Sequence, residues 1–346
     1  MAWISGLTSR IPDQGQWQSG WQLINYVRIA CRQPSISVAR RAPSTVQPNG
    51  LVEFPDVPIE NISDTARWVA VYRAMESARR NALFKDPFAA RLAGPKGAQI
   101  VRELRRGKAM AWPMIVRTAV FDEMIMDRVD KGGVDKGGVD TVINLAAGLD
   151  TRPWRMPLPE SLRWIDVDLP AITEYKANAM RDEKPACRYE AVAADLTDAQ
   201  VRASLFARID SESRTALVIT EGLLVYLTTE QVEALARDIH SMRCARWWMF
   251  DLASARLLPI LNRHWAGNAV AAANAPFQFA PAEGTAFFER FGWREIEFRS
   301  GLDEAHRLRR EMRMAPLWRF LSRFGPPERR EEYRRMSGYV MLERTD

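Results

Sequence analysis

The chain has 346 residues, 47% hydrophobic and 27% charged, the ordinary composition of a globular protein with a sizeable core. Its formal net charge is +6 with arginine in excess of lysine, but the basic residues are interleaved with acids, as in Glu328 to Arg335, which reads as solvated helix faces and not as a nucleic-acid surface. No apolar run reaches the length of a membrane span, and Cys31, Cys187 and Cys244 form no CxxC or Cys/His cluster, which argues against a disulfide framework or a zinc site and suits a reducing cytoplasm.

Residues 1–58 stand apart. The first 50 hold Arg10, Arg28, Arg32, Arg40 and Arg41, many Ser, Gln and Pro, and a single acid, Asp13. No apolar core follows a charged start, so a secretory signal is not expected. The composition slightly resembles an organelle transit peptide and reads better as a disordered leader or the product of an upstream start codon. Residues 59–128 read as a helical cap. Ser63 or Asp64 can cap a helix in which Ala66, Val69, Ala70, Arg73 and Ala74 recur at helical spacing. Asp86-Pro87 starts a second helix, and a third runs from about Met110 to Arg128. Residues 129–140, VDKGGVDKGGVD, are a tandem of a five-residue unit and predict a glycine-rich surface linker.

From Thr141 onward short apolar runs alternate with helical ones. Strands are predicted at Thr141 to Ala146, Arg163 to Val167, Tyr189 to Ala194, Ala216 to Thr220, Trp247 to Asp251, Arg294 to Arg299 and Gly338 to Glu343. A helix is predicted from Thr228 to Met242 with Gln231, Leu235 and Ile239 in register. Such alternation predicts an α/β fold, a seven-stranded, mostly parallel sheet with helices on both faces. Residues 253–291 exceed a crossover and are expected to form a helical lid over the carboxyl edge of the sheet.

The chemistry concentrates at predicted strand ends. In TVINLAAGLDTRPWR a strand runs into the small-residue turn Ala146-Ala147-Gly148, where backbone can approach a ligand closely. A dinucleotide fingerprint would need G-x-G-x-x-G, but Ala146 and Thr151 stand at its first and third glycines, so a nucleotide without a pyrophosphate fits better than NAD. Asp168, 20 residues past Gly148, stands where such sheets hold ribose hydroxyls, and it can also cap the helix after it. Asp195 with Leu196, after the third strand, can accept from an adenine amine and pack on its ring, or cap a helix. EGLLVYL puts Glu221 and a glycine at the end of the fourth strand and Tyr226 five residues on.

NLAAGLDTRPWR, IDVDLP with Lys176 following, AADL and EGLLVYL together resemble the leucine carboxyl methyltransferase family, including its bacterial O-methyltransferases of polyketide and other secondary metabolism. The resemblance runs from about Thr65 to the C-terminus and includes TARWVAVYRA, Asp86-Pro87 and Arg117-Thr118. It implies a Rossmann-like class I methyltransferase core at 141–346, with S-adenosylmethionine as cofactor, S-adenosylhomocysteine as product and no metal. It further implies that Gly148 and its turn lie against the methionine part, Asp168 holds the ribose, and Asp195 and Leu196 flank the adenine. Arg117 would pair with the cofactor's carboxylate, with Arg67 a weaker candidate, while Glu221 lines the site beneath the sulfonium and Tyr226 faces the substrate. The family usually has glycine where Ala146 stands.

The acceptor is expected to be a small molecule, with no nucleic-acid or membrane partner. A carboxylate is ionised at neutral pH and needs no base, whereas a phenol gains from one. Of the three histidines, His240 reads as a surface residue, and His264 and His306 fall near the lid. None lies in the core motifs, which favours a carboxyl acceptor. Trp112 and Trp265 are placed to stack on an aromatic substrate, and Arg307, Arg309, Arg310 and Arg313 to face an anionic one. Competing readings are an NAD(P)-linked oxidoreductase and a non-catalytic cofactor-binding protein. Neither the acceptor nor the oligomeric state is written in any motif.

Overall fold

A computed structural model describes residues 63–103, 111–130, 138–264, 277–312, 314–315 and 326–346. The leader, Cys31, most of the KGG tandem, Trp265 and Arg313 lie outside the described residues, as does the side chain of His264.

Three helices precede the sheet: α1 (Ser63–Ser77), α2 (Ala89–Glu103) and α3 (Trp112–Asp130). Asp86 starts α2 as expected, its Oδ1 accepting from the N–H groups of Phe88 and Ala89 at 3.1 and 3.0 Å. Its Oδ2 accepts from Thr151 at 2.7 Å and meets Arg73 Nε at 3.2 Å, which ties these helices to the DTR turn. The ends of the glycine-rich tandem are held: Val139 is buried, and Asp140 Oδ2 accepts from the Arg214 and Thr215 N–H groups at 3.1 and 3.3 Å.

The sheet and its helices follow as β1 (Thr141–Leu145), α4 (Arg152–Arg155), β2 (Arg163–Asp168), α5 (Pro170–Ala179), β3 (Arg188–Ala193), α6 (Ala199–Glu212), β4 (Ala216–Thr220), α7 (Thr229–Ser241), β5 (Ala245–Ala253), α8 (Leu258–His264), β6 (Trp293–Ser300), α9 (Gly301–Arg307), α10 (Pro327–Arg334) and β7 (Ser337–Arg344). The seven strands lie in the order β3-β2-β1-β4-β5-β7-β6. The first five are parallel, and β7 pairs antiparallel with both β5 and β6.

Alternation along each strand sends neighbours to opposite faces. One face carries Ile143, Ile165, Val218, Trp248 and Val340 against α6, α7 and the 3₁₀ turn Gly284–Phe291. The other carries Val142, Trp164, Leu217, Met249 and Met341 against α3. Because both faces are covered, the central strands β1 and β4 are buried at every position, as parallel sheets require. The edge strand β3 is not, and Arg188 and Glu190 on it discourage further pairing.

Two of the predicted cap and lid segments pack into the core. The third helix lies on the sheet: Val116, Val120, Phe121, Met124 and Ile125 of α3 are buried against it. The end of the 253–291 stretch is core, because Phe287, Phe288 and Phe291 pack against Trp248 and Trp293. On α7 the buried stripe is Val232, Leu235, Ala236 and Ile239, whereas Gln231 closes a capping box with Thr228. The charged segment near the C-terminus behaves as read, for α10 buries none of its residues.

Candidate functional site

Strand order reverses between β1 and β4, since the chain runs outward through β2 and β3 and then returns to the far side of β1. In such sheets the carboxyl edge at that reversal is where ligands sit. That edge carries Ala146 to Gly148 after β1, Asp168 ending β2, Asp195 and Leu196 after β3, Glu221 and Gly222 after β4, and Asp251 in β5. All of them line one cavity of 1120 Å³, together with Arg117 and Trp112 of α3 and Tyr226.

The turn after β1 is built by close backbone contacts. Ala146 and Gly148 both take left-handed φ values, 55° and 52°. A Cβ on Gly148 would stand 3.2 Å from that of Ala66, so glycine suits the place twice over. Ala146 adopts this conformation without that freedom, at a cost of about 1–2 kcal/mol. The Gly148 N–H donates to Asp168 Oδ2 at 2.6 Å, joining the ends of β1 and β2. Asp168 Oδ1 accepts from the Leu169 N–H at 2.7 Å, while the N-cap of α5 is Leu169. Burial pushes the Asp168 carboxyl up, and these two N–H donors only partly offset it.

Asp195 is exposed, and its Oδ1 accepts from the N–H and hydroxyl of Thr197 at 2.9 and 2.7 Å, which holds the carboxyl below its ordinary value. It does not cap α6; Asp198 does, accepting from Gln200 and Val201. Tyr226 sits in the 3₁₀ turn Leu224–Tyr226 with its ring 5.2 Å from that of Phe277. Burial pushes its phenol up to about 12.

Behind the edge lies a charge network. Glu221 Oε1 accepts from Arg117 Nε at 2.9 Å and Oε2 from Arg152 Nη1 at 2.8 Å. Arg117 Nη1 reaches Asp251 Oδ2 at 3.1 Å, and Asp251 Oδ1 takes the Gly222 N–H at 2.5 Å. The side chain of Arg152 is 2% exposed and also meets Asp150 and Asp122, each at 2.7 Å. Burial alone would raise the Asp150 carboxyl, but Arg152, with Lys176, Arg73 and Arg155, outweighs it and holds the group far below the usual range. Asp166, two residues before Asp168 on β2, is structural, accepting from Asn144, Trp164, Lys176 and Tyr189.

Arg117, Ala146, Gly148, Asp168, Asp195, Leu196, Glu221 and Tyr226 all line the cavity. Arg117 does so with Nε and Nη1 on two carboxylates of its own chain. Arg67 does not line it: it stacks on Tyr175, its guanidinium carbon 3.8 Å from the ring centroid, and Arg73 of the same helix lines the cavity instead. His240 lies edge-on to Trp293 with Nε2 3.4 Å from the Thr345 carbonyl, and His306 faces Glu311. Neither lines the cavity. Arg307 pairs with Glu123 and Glu304, Arg310 is buried on Glu76, and Arg309 is likewise away from the cavity. Sequence reasoning did not single out Asp150, Arg152 or Asp251. The rule that selects acids at strand ends applies to Asp251 as well, whereas no local signal marks Arg152 as a hub. Among the described residues no group of three or more His, Cys, Asp or Glu could hold a metal ion. In them no helix is long and apolar enough to cross a membrane.

Comparison with known proteins bears on the same segment. A model of the family described as leucine carboxyl methyltransferase matches residues 66–240. A protein of Streptomyces coelicolor, named as a candidate S-adenosyl-L-methionine-dependent methyltransferase, is 37% identical over 187 residues, 51% of this chain and 63% of its own. One of Mycolicibacterium smegmatis, named in the same way, is 33% identical over 199 residues, covering 53% and 63%. The chain thus spans less than two thirds of the length of these relatives. A solved structure from Thermobifida fusca YX, named as a candidate methyltransferase, matches 86% of this chain and 100% of its own with a TM-score of 0.51. At 14% identity that likeness bears on the fold alone, a Rossmann-like α/β sheet.

Proposed function

The chain belongs to the leucine carboxyl methyltransferase family, and from that premise we propose that it is an S-adenosylmethionine-dependent methyltransferase acting on an oxygen of a small-molecule acceptor, a carboxylate in preference to a phenol. The observation that carries this reading is the convergence of Gly148, Asp168, Asp195, Leu196 and Glu221, from four successive strand ends, on one cavity.

The residues fit the cofactor. The Ala146 to Gly148 turn leaves backbone room that a side chain at Gly148 would close. In this reading Asp168 holds the ribose hydroxyls, Asp195 accepts from the adenine amine, and Leu196 packs on its ring. When bound, S-adenosylmethionine supplies an electrophilic methyl group on a sulfonium. The protein's part is to orient the acceptor oxygen and exclude water, which gives positioning the largest share of catalysis. Glu221 and Asp251 line the cavity, each ion-paired with Arg117. Arg117, bonded to both, is assigned to positioning them, in place of the direct contact with the cofactor's carboxylate that the resemblance implies.

A carboxylate acceptor is favoured because no described histidine side chain lines the cavity, and Tyr226, with its phenol near 12, is neutral and no base at physiological pH. A dinucleotide reading is disfavoured by α4, a single turn with Arg152 and Pro153 buried, where a pyrophosphate site would need an open helix N-terminus. The buried free thiols Cys187 and Cys244 suit the reducing cytoplasm we propose as its compartment.

Calorimetric titration tests the reading. S-adenosylhomocysteine is expected to bind with a dissociation constant on the order of micromolar, and NAD to give no heat. A folded protein that ignores S-adenosylhomocysteine overturns the assignment, and faster methyl transfer to phenols than to carboxylates overturns the acceptor class.

A further inference from the structure

The cavity lining is polar at the strand-end acids Asp168, Asp195 and Glu221. Elsewhere it includes Trp112, Met114, Leu257, Leu261, Phe277 and Met336. The side chains that interrupt this apolar lining are largely committed elsewhere: Gln278 Nε2 donates to the Tyr226 carbonyl at 2.9 Å, and Tyr226 packs on Phe277. At 1120 Å³ the space exceeds the roughly 300–1,000 Å³ of a pocket for one small ligand, so a nucleoside at those acids does not fill it.

Part of this lining is both apolar and exposed. Ile260 (38% exposed), Leu302 (40%) and Met312 (44%) are among the few large apolar side chains of the described residues left in solvent. All three line this cavity. They come from α8, from α9 and from the segment after it. Single exposed apolar residues need no explanation, but three from separate elements that line one cavity mark a binding surface. None of the three is aromatic. Ile, Leu and Met present flexible aliphatic groups that adapt to a chain more readily than they stack on a ring.

We propose that the acceptor carries a long unbranched aliphatic body. Its oxygen lies at the Glu221 and Asp251 end, and its chain passes Leu257, Leu261 and Phe277 and emerges between Ile260, Leu302 and Met312. The direction of this placement rests on the methyltransferase reading. The apolar character of the passage does not.

The test is calorimetry on the full chain with hexanoate, octanoate, decanoate and dodecanoate, each below its micelle threshold, with and without S-adenosylhomocysteine. Each added methylene is expected to tighten binding about three- to fourfold, the gain from burying one CH₂ group. The variant Ile260→Ser/Leu302→Ser/Met312→Ser, changed only at exposed positions, should lose about tenfold or more for dodecanoate and nothing for hexanoate or S-adenosylhomocysteine. A steep series without S-adenosylhomocysteine binding upholds the passage while the cofactor reading fails. S-adenosylhomocysteine binding with a flat series overturns the passage while the cofactor reading stands. A flat series with a dimer that dissociates in the variant also overturns it, assigning the patch to a second copy of the chain.

Discussion

At the ends of β1 and β4, Asp150 and Glu221 accept from buried guanidinium groups, whereas at the ends of β2 and β3, Asp168 and Asp195 accept only from backbone N–H groups and a threonine hydroxyl. All four acids line the same cavity. A charge removed from water needs a partner, and the first pair finds its partners in Arg117 and Arg152. Those carboxylates are spent on holding β1, β4 and α3 together. The second pair has no cation bonded to it among the described residues and is the better equipped to receive donors from a ligand. Acids that look equivalent along the chain thus divide into framework and binding groups according to what stands behind them.

Removing Arg152 is the hardest way to break this division. Arg152→Leu fills similar space but leaves Asp122, Asp150 and Glu221 without a shared cation, so unfolding stability is expected to fall by about 3–5 kcal/mol. Urea denaturation reads it, and a loss below about 1 kcal/mol would mean that the network is solvated and the contrast unreal. Asp168→Ala sharpens the comparison from the other side. It should cost less stability than Arg152→Leu but weaken S-adenosylhomocysteine about 10- to 100-fold, the value of hydrogen bonds to a charged acceptor. Unchanged affinity in calorimetry would move Asp168 to the framework group. The smallest effect belongs to Ala146→Gly. Relief of the left-handed strain, about 1–2 kcal/mol, is offset by about 0.4–1 kcal/mol of added freedom in the unfolded chain. The net expectation is a slight rise in melting temperature, and a marked fall would show that the alanine methyl makes contacts worth more than the strain.

Much of the fold is legible in the residues. The seven strands lie within about two residues of their predicted places, because short runs rich in β-branched and apolar residues are closed by turn residues at their ends. The site edge is legible for the same reason, since a parallel strand must deliver its last residues to one side of the sheet. What was not legible is direction. The amphipathic stripe of α3 does not say whether it faces another helix or the sheet, and here it faces the sheet. Arg67 and Arg73 share α1, yet packing of Arg67 on Tyr175 leaves Arg73 at the cavity.

Periodicity, turn chemistry and the spacing of Gly148 and Asp168 are local properties, set by backbone sterics and by which face of a strand or helix is apolar, so the sequence by itself determined the α/β order and the edge where a ligand belongs. The partnership of Arg152 with Asp122 and Glu221 joins residues 30 and 69 positions apart. The cavity lining likewise gathers Ile260, Leu302 and Met312 from three separate elements. Only the tertiary structure decided these, because a charge buried by packing takes whichever partner the packing brings within reach.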